Sequence, residues 1–193
     1  MNKMTRKLDT SATRKTAAAS APSQPASKPS ASAPPRALGP VSLDAIDLRI
    51  LEALQRDGRM SNVDLAAQVH LSAPQCFRRV RALEERGVLR GYRADVAPLA
   101  LGLGVTAYVS LNITAQAFAR VREIESLIRD FPEILECHTV SGDSDYLLKV
   151  VARDLQALSK FLTDKLMQLD GVADVRSMIC LEEIKPPAGL PVA

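Results

Sequence analysis

Four arginines fall within nine residues of this 193-residue chain: Arg78, Arg79, Arg81 and Arg86, with Gln75 just ahead of them. Those side chains suit one kind of chemistry. An arginine fork can bind guanine O6 and N7 in bidentate fashion, and glutamine can do the same with adenine. For other chemistry the chain is poorly equipped. Its two histidines, His70 and His138, have no evident orienting partner, so nucleophilic catalysis lacks its parts. Cys137 and His138 are adjacent, and strand neighbours point to opposite faces, so they cannot chelate one ion together. The three cysteines, Cys76, Cys137 and Cys180, form no C-x-x-C and are odd in number, which favours a reducing cytosol over a disulfide framework. No catalytic residue, metal ligand or resident cofactor is expected.

The arginines need an element to carry them outward. Asp44 and Asp47 have N-cap and N3 spacing, and Ile46, Ile50, Leu51 and Leu54 share one helical face. Asp57-Gly58 should end that helix. Ser61 and Asp64 make an S-x-x-D capping box for a second helix carrying Val63, Leu65, Ala66 and Val69. Ser72 and Gln75 make an S-x-x-Q box for a third, whose Cys76, Val80 and Leu83 turn inward and which Gly87 closes. Residues 88–92 read as a strand. Two capped helices joined only by His70-Leu71 form a helix-turn-helix, and the second must project outward. Its exposed face is expected to carry Gln75, Arg78, Arg79 and Arg81 into a major groove of double-stranded DNA. The first-turn N–H groups behind Ser72 suit a backbone phosphate. With Ser61, Ala73 and Pro74, these residues make the expected DNA-contacting set.

A different pattern follows. Val105, Ala107, Val109, Leu111 and Ile113 alternate with Thr106, Tyr108, Ser110 and Asn112, as in a half-buried strand. Phe118, Val121, Ile124, Ile128 and Phe131 have helical spacing. Residues 135–140 and 145–152 read as strands around the turn Ser141-Gly142-Asp143-Ser144. Asp154 caps a helix with a stripe of Leu155, Leu158, Leu162, Leu166 and Leu169, Gly171 ends it, and residues 172–184 form a last strand. The βαββαβ order predicts a ferredoxin-like sandwich with helices on one sheet face. Tyr108, Met178 and Cys180 on the other face suggest that it pairs with a second copy. The fold class is therefore α+β, a helix-turn-helix segment followed by a ferredoxin-like domain.

Charge divides the same way. The formal total is +3. Residues 1–40 hold seven basic groups against Asp9 alone, residues 41–93 nine basic against seven acidic, and residues 94–193 nine basic against fourteen acidic. A polyanion-binding end is joined to an end with another task. Residues 1–40, rich in Ala, Ser, Pro and Lys, have little to bury and read as a disordered basic tail that could add phosphate attraction. They contain no apolar signal core, and six prolines from Pro22 to Pro40 interrupt the helix a transit peptide needs. No apolar run approaches the roughly 18 residues of a membrane span. A cytoplasmic protein without a membrane partner is expected.

These motifs resemble one family. Leu43-Asp44-x-x-Asp47-x-x-Ile50-Leu51 and Leu54-Gln55-x-Asp57-Gly58-Arg59-x-Ser61-Asn62 are similar to the start of the Lrp/AsnC, or feast/famine, transcription regulators. So are Leu71-Ser72-x-x-x-Cys76-x-x-Arg79-Val80-x-x-Leu83-Glu84-x-x-Gly87 and the hairpin Glu136-Cys137-His138-x-Val140-Ser141-Gly142-Asp143-x-Asp145-Tyr146-Leu147-Leu148. The resemblance runs from about Leu43 to Lys185. It implies a winged helix-turn-helix (41–91), a strand linker (92–100), an amino-acid-sensing and oligomerisation domain (101–185) and a short tail (186–193). It also implies dimers that assemble to tetramers or octamers on the nucleoid, with an amino acid bound between dimers. Ser141, Gly142, Asp143, Asp145 and Tyr146 would frame that pocket, with Leu155 and Met178 nearby. Turn N–H groups could take a ligand carboxylate, and Asp145 its ammonium. His70 departs from the glycine more usual in the family's turn, and Arg78 from an acidic or neutral residue. Two other functions compete: an architectural DNA binder with no ligand, and a haem-biosynthetic decarboxylase-like enzyme on the same scaffold.

Overall fold

The computed structural model describes residues 42–192; the basic tail lies outside the described residues. Three helices come first: α1 (Ala45–Arg56), α2 (Asn62–Gln68) and α3 (Ala73–Glu85). Asp44 caps α1, accepting from the N–H groups of Ile46 and Asp47, while Asp47 accepts from the Asp44 N–H, so this box is reciprocal. In the second box Ser61 Oγ accepts from the Asp64 N–H, and its hydroxyl donates to the Asp64 carboxylate. Ile50, Leu54, Leu65, Val69, Cys76 and Leu83 close a small core. Fully burying each large aliphatic side chain there is worth about 1.5–3 kcal/mol.

Between α2 and α3, His70 has φ +58° and is the only non-glycine residue with positive φ among those described. The two-residue connection therefore does require left-handed backbone, which glycine adopts without steric cost and histidine does not.

Residues 88–92 are not a strand. Val88 and Leu89 donate their N–H groups back to the Leu83 carbonyl, closing α3, and their side chains pack under the helices. Those amides are spent as a helix cap and are not offered to a ladder. The following linker also has no ladder partner among the described residues before a 3-10 turn at Pro98–Leu101.

The second part is β1 (Val105–Ile113), α4 (Val121–Asp130), β2 (Ile134–Thr139), β3 (Tyr146–Ala152), α5 (Leu155–Asp164) and β4 (Val172–Ile179). The sheet is antiparallel in order β2-β3-β1-β4, as the βαββαβ reading requires. Ala107, Val109, Leu111, Ile113, Leu148 and Val150 meet Ile124, Ile128, Leu158 and Phe161 in one buried layer. The other sheet face carries Tyr108, paired in register with Met178, and both are exposed.

Three expectations shift at element ends. The approach to α4 is a 3-10 turn over Ala115–Arg120, whose tighter period rotates Phe118 off the apolar stripe and into solvent. Leu155 opens α5 but is also exposed. β4 stops at Ile179, with one further bond from the Cys180 N–H to the Thr106 carbonyl.

Candidate nucleic-acid interface and effector site

The outer face of α3 is narrower in chemistry than its sequence suggests. Arg78 and Arg81 are exposed, the latter in a loose surface pair with Glu85 at 3.7 Å. Arg79 is different. Its Nη1 donates to Asp44 Oδ2 and to Asp47 Oδ1, both at 2.7 Å, and only 32% of its side chain is accessible. Asp47 is nearly buried, with 10% of its side chain accessible. The Asp47 backbone N–H, and then Arg79, hold the Asp44 carboxyl below the usual carboxylate range. Arg79 therefore fastens α3 to the first turn of α1 and is withdrawn from the expected base-reading set. One face of a helix spans a limited arc, and position 79 falls on the side turned to α1, about 100° from Arg78. Two turns later Arg86 Nη2 donates to the Ser42 carbonyl at 2.6 Å, so it too anchors the start of the domain.

Gln75 is exposed, yet its Oε1 accepts from Ser72 Oγ at 2.9 Å and from the Ser72 N–H at 3.4 Å. Reading adenine would require that cap to open. Pro74 stands exposed in the first turn, Ser61 and Ser72 are exposed at their helix starts, and Ala73 is half-buried. A positioning contact escapes sequence reading: Asn62 Nδ2 donates to the Ala73 carbonyl at 2.9 Å, tying the first turn of α2 to that of α3. A side chain reaching a backbone atom eleven residues away leaves no periodic signal. Phe77 is likewise exposed on α3, beside the arginines.

The expected effector residues do not converge in one chain. Ser141, Gly142 and Asp143 form an exposed turn, and Gly142 has φ +119° with open space where a Cβ would sit. Asp145 is committed to the fold. Its Oδ2 accepts the Ile113 N–H at 2.8 Å, and its own N–H donates to Asn112 Oδ1 and the Leu111 carbonyl. Those bonds latch the hairpin to β1 where the β1–β4 register shifts, between Asn112 and Ile113. Tyr146 is buried, and its hydroxyl donates to Glu125 Oε1 at 3.1 Å. Burial, reinforced by Glu125, pushes its phenol up to about 12. Within the chain it is a core residue. Met178 sits on the open sheet face, opposite the face that holds Tyr146. Leu155 follows the far end of β3, roughly 20 Å along the strand from the turn at about 3.3 Å per residue. No single-chain pocket can include them all.

Two cavities lie elsewhere. One of about 440 Å³ runs between the end of α1 and α3, lined by Leu54, Phe77, Val80 and Tyr92 among others. One of about 270 Å³ lies at the start of α5 beside Arg153 and Lys160. Neither touches residues 141–146. Cys137 and His138 occupy opposite sheet faces, paired with Leu148 and Leu147 respectively.

Comparison with known proteins decides what this two-part chain is. A winged helix-turn-helix DNA-binding profile matches residues 43–90, and the Lrp/AsnC ligand binding domain profile matches residues 106–190. The leucine-responsive regulatory protein of Rhizobium meliloti (strain 1021) is 42% identical over 145 residues, 75% of this chain and 93% of that protein. The chain belongs to the Lrp/AsnC family of transcriptional regulators.

Other relatives of this Lrp/AsnC regulator agree. The leucine-responsive regulatory protein of Escherichia coli (strain K12) is 41% identical over 143 residues, covering 74% of this chain and 87% of the relative. A transcriptional regulator from Neisseria meningitidis, solved as an L-Met complex, superposes with a TM-score of 0.74 at 37% identity, covering 78% of this chain and 97% of that one. An AsnC family regulator from Agrobacterium tumefaciens gives 0.73 at 34% identity, covering 77% and 97%. Helices α1–α3 are thus the DNA reader of a transcriptional regulator, and the sheet domain is its ligand-binding domain.

Proposed function

We propose that this regulator binds double-stranded DNA through α3, with Arg78 and Arg81 as the side chains free to reach bases, and that a small amino acid modulates its binding or assembly. The observation that carries the effector class is the likeness, over 97% of that protein's chain, to a Neisseria meningitidis regulator solved with L-Met. Ser141, Gly142 and Asp143 contribute turn N–H groups and polar atoms to the site, and a second copy supplies the remaining wall. The exposure of Ser141, Gly142 and Asp143 supports that division. The dimer forms through the open sheet face around Tyr108 and Met178, and dimers assemble further on the nucleoid, in the cytoplasm. No catalysis is assigned to the chain.

Thermal-shift screening of the full chain against all amino acids tests the effector. A ligand at a hundred times its Kd adds about 2.7 kcal/mol to stability, which is readily seen as a raised Tm. A rise for one or a few amino acids, with a matching change in DNA affinity, supports the proposal. No response to any amino acid refutes it and favours an architectural binder.

A further inference from the structure

The segment after β4 returns to the reader. Gln55, exposed on the last turn of α1, uses both ends of its amide on one residue of the C-terminal tail. Its Nε2 donates to the Leu190 carbonyl at 3.1 Å, and its Oε1 accepts the Leu190 N–H at 2.5 Å. The side-chain amide thus pairs with Leu190 as a neighbouring strand would. The tail suits that role. Pro191 biases Leu190 toward extended backbone, and Pro186 and Pro187 restrict the approach, so little chain entropy remains to be lost on docking. Gly189 supplies the clearance: a Cβ there would stand 2.7 Å from Gln55 Oε1, 3.0 Å from its Cδ and 3.1 Å from its Cβ. The amide that would have to move is the one held at both ends.

We infer that residues 186–192 form a strap that docks on Gln55 and ties the ligand-binding sheet to the DNA reader, in parallel with the linker before β1. The chain leaves β4 at Ile179, and the strap lands on Gln55 of α1, which Arg79 fastens to α3. It therefore links the sheet to the DNA-reading helix by a route independent of the linker. With the strap docked the reader has one orientation to the sheet; with it released the reader turns on the linker alone. The pairing itself stands on contacts within this chain and does not depend on which effector binds.

Hydrogen–deuterium exchange of the full chain, followed by mass spectrometry of the C-terminal peptide, tests it. In the wild type the Leu190 amide should exchange roughly tenfold slower than in a free peptide, as expected for a docked but solvent-exposed pair. Gln55→Ala should remove that protection. Gln55→Glu, which keeps an acceptor but replaces the donor with a repelling oxygen, should remove most of it. Gly189→Ala should do so without deleting any hydrogen-bonding group. Amides of β1 and α1 should stay protected in all three. Free-peptide exchange in the wild type, or unchanged protection in Gln55→Ala and Gly189→Ala, would overturn the strap. Protection that disappears on dilution would overturn it as an intrachain contact and assign the tail to a second copy.

Discussion

Arg79→Ala should cost stability before it costs anything specific at DNA. The substitution removes a guanidinium that donates at 2.7 Å to both Asp44 and Asp47, and Asp47 is nearly buried. A hydrogen bond to a charged group contributes about 1.5–3 kcal/mol when well shielded. Arg79 is about one-third accessible, so solvent screening takes part of that, leaving about 1–2 kcal/mol for the Asp47 contact. With a urea m-value on the order of 1 kcal/mol/M for so small a domain, the reader's unfolding midpoint should fall by roughly 1–2 M. Asp47→Asn should lose a comparable amount, and the double variant little more, because both delete the shared Arg79–Asp47 contact. Arg78→Ala is the contrast. It should leave the unfolding free energy within about 0.5 kcal/mol while weakening binding to a fragment selected from a random DNA pool by roughly five- to hundredfold. Gel-shift titration and urea unfolding on the same preparations separate the two roles. If Arg79→Ala leaves the midpoint unchanged but abolishes selected-site binding, the assignment of Arg79 to the fold is wrong.

Other perturbations follow from single contacts. His70→Gly should stabilise the reader by about 0.5–1 kcal/mol, because φ +58° suits glycine; a lower Tm would show that the histidine side chain contributes more than its backbone costs. Asp145→Ala should destabilise the sheet domain by about 1–3 kcal/mol by stripping the Ile113 N–H of its acceptor, and unchanged thermal unfolding would count against the latch. Tyr146 should ionise about two units above a free phenol. Its neutral form is the folded form, so the stability it contributes is present below pH 10 and is lost as pH rises from about 10 to 12. Ultraviolet titration should show a late-ionising phase near pH 12 that Tyr146→Phe removes; a titration curve unchanged by Tyr146→Phe in that range would refute it.

Local chemistry alone determined a good deal here. Asp44, Ser61 and Ser72 mark three helix starts because capping satisfies N–H groups within three residues of the cap, a relation written entirely in adjacent sequence. The alternation through β1 and the stripes of α4 and α5 announced the ferredoxin-like sandwich, since a sheet covered on one face must alternate with period two. The same locality explains the failures. Gly142 was legible as turn chemistry, but nothing adjacent records that Asp145 spends its carboxylate on Ile113, 32 residues away. Residues 88–92 have strand composition, yet the Val88 and Leu89 amides close α3, and a strand exists only with a partner.

The division of the arginines rests on the tertiary structure for the same reason. Sequence placed Arg78, Arg79, Arg81 and Arg86 on or beside one helix and identified that helix as the reader. Which of them can face DNA depends on where α1 crosses α3 and on which two carboxylates it brings there. Packing made Arg79 and the exposed Arg86 fasteners to the start of the domain and, among the described residues, left Arg78 and Arg81 without a bond to another helix. It likewise brought Gln55 against Leu190 across 135 residues, a pairing that no local rule encodes.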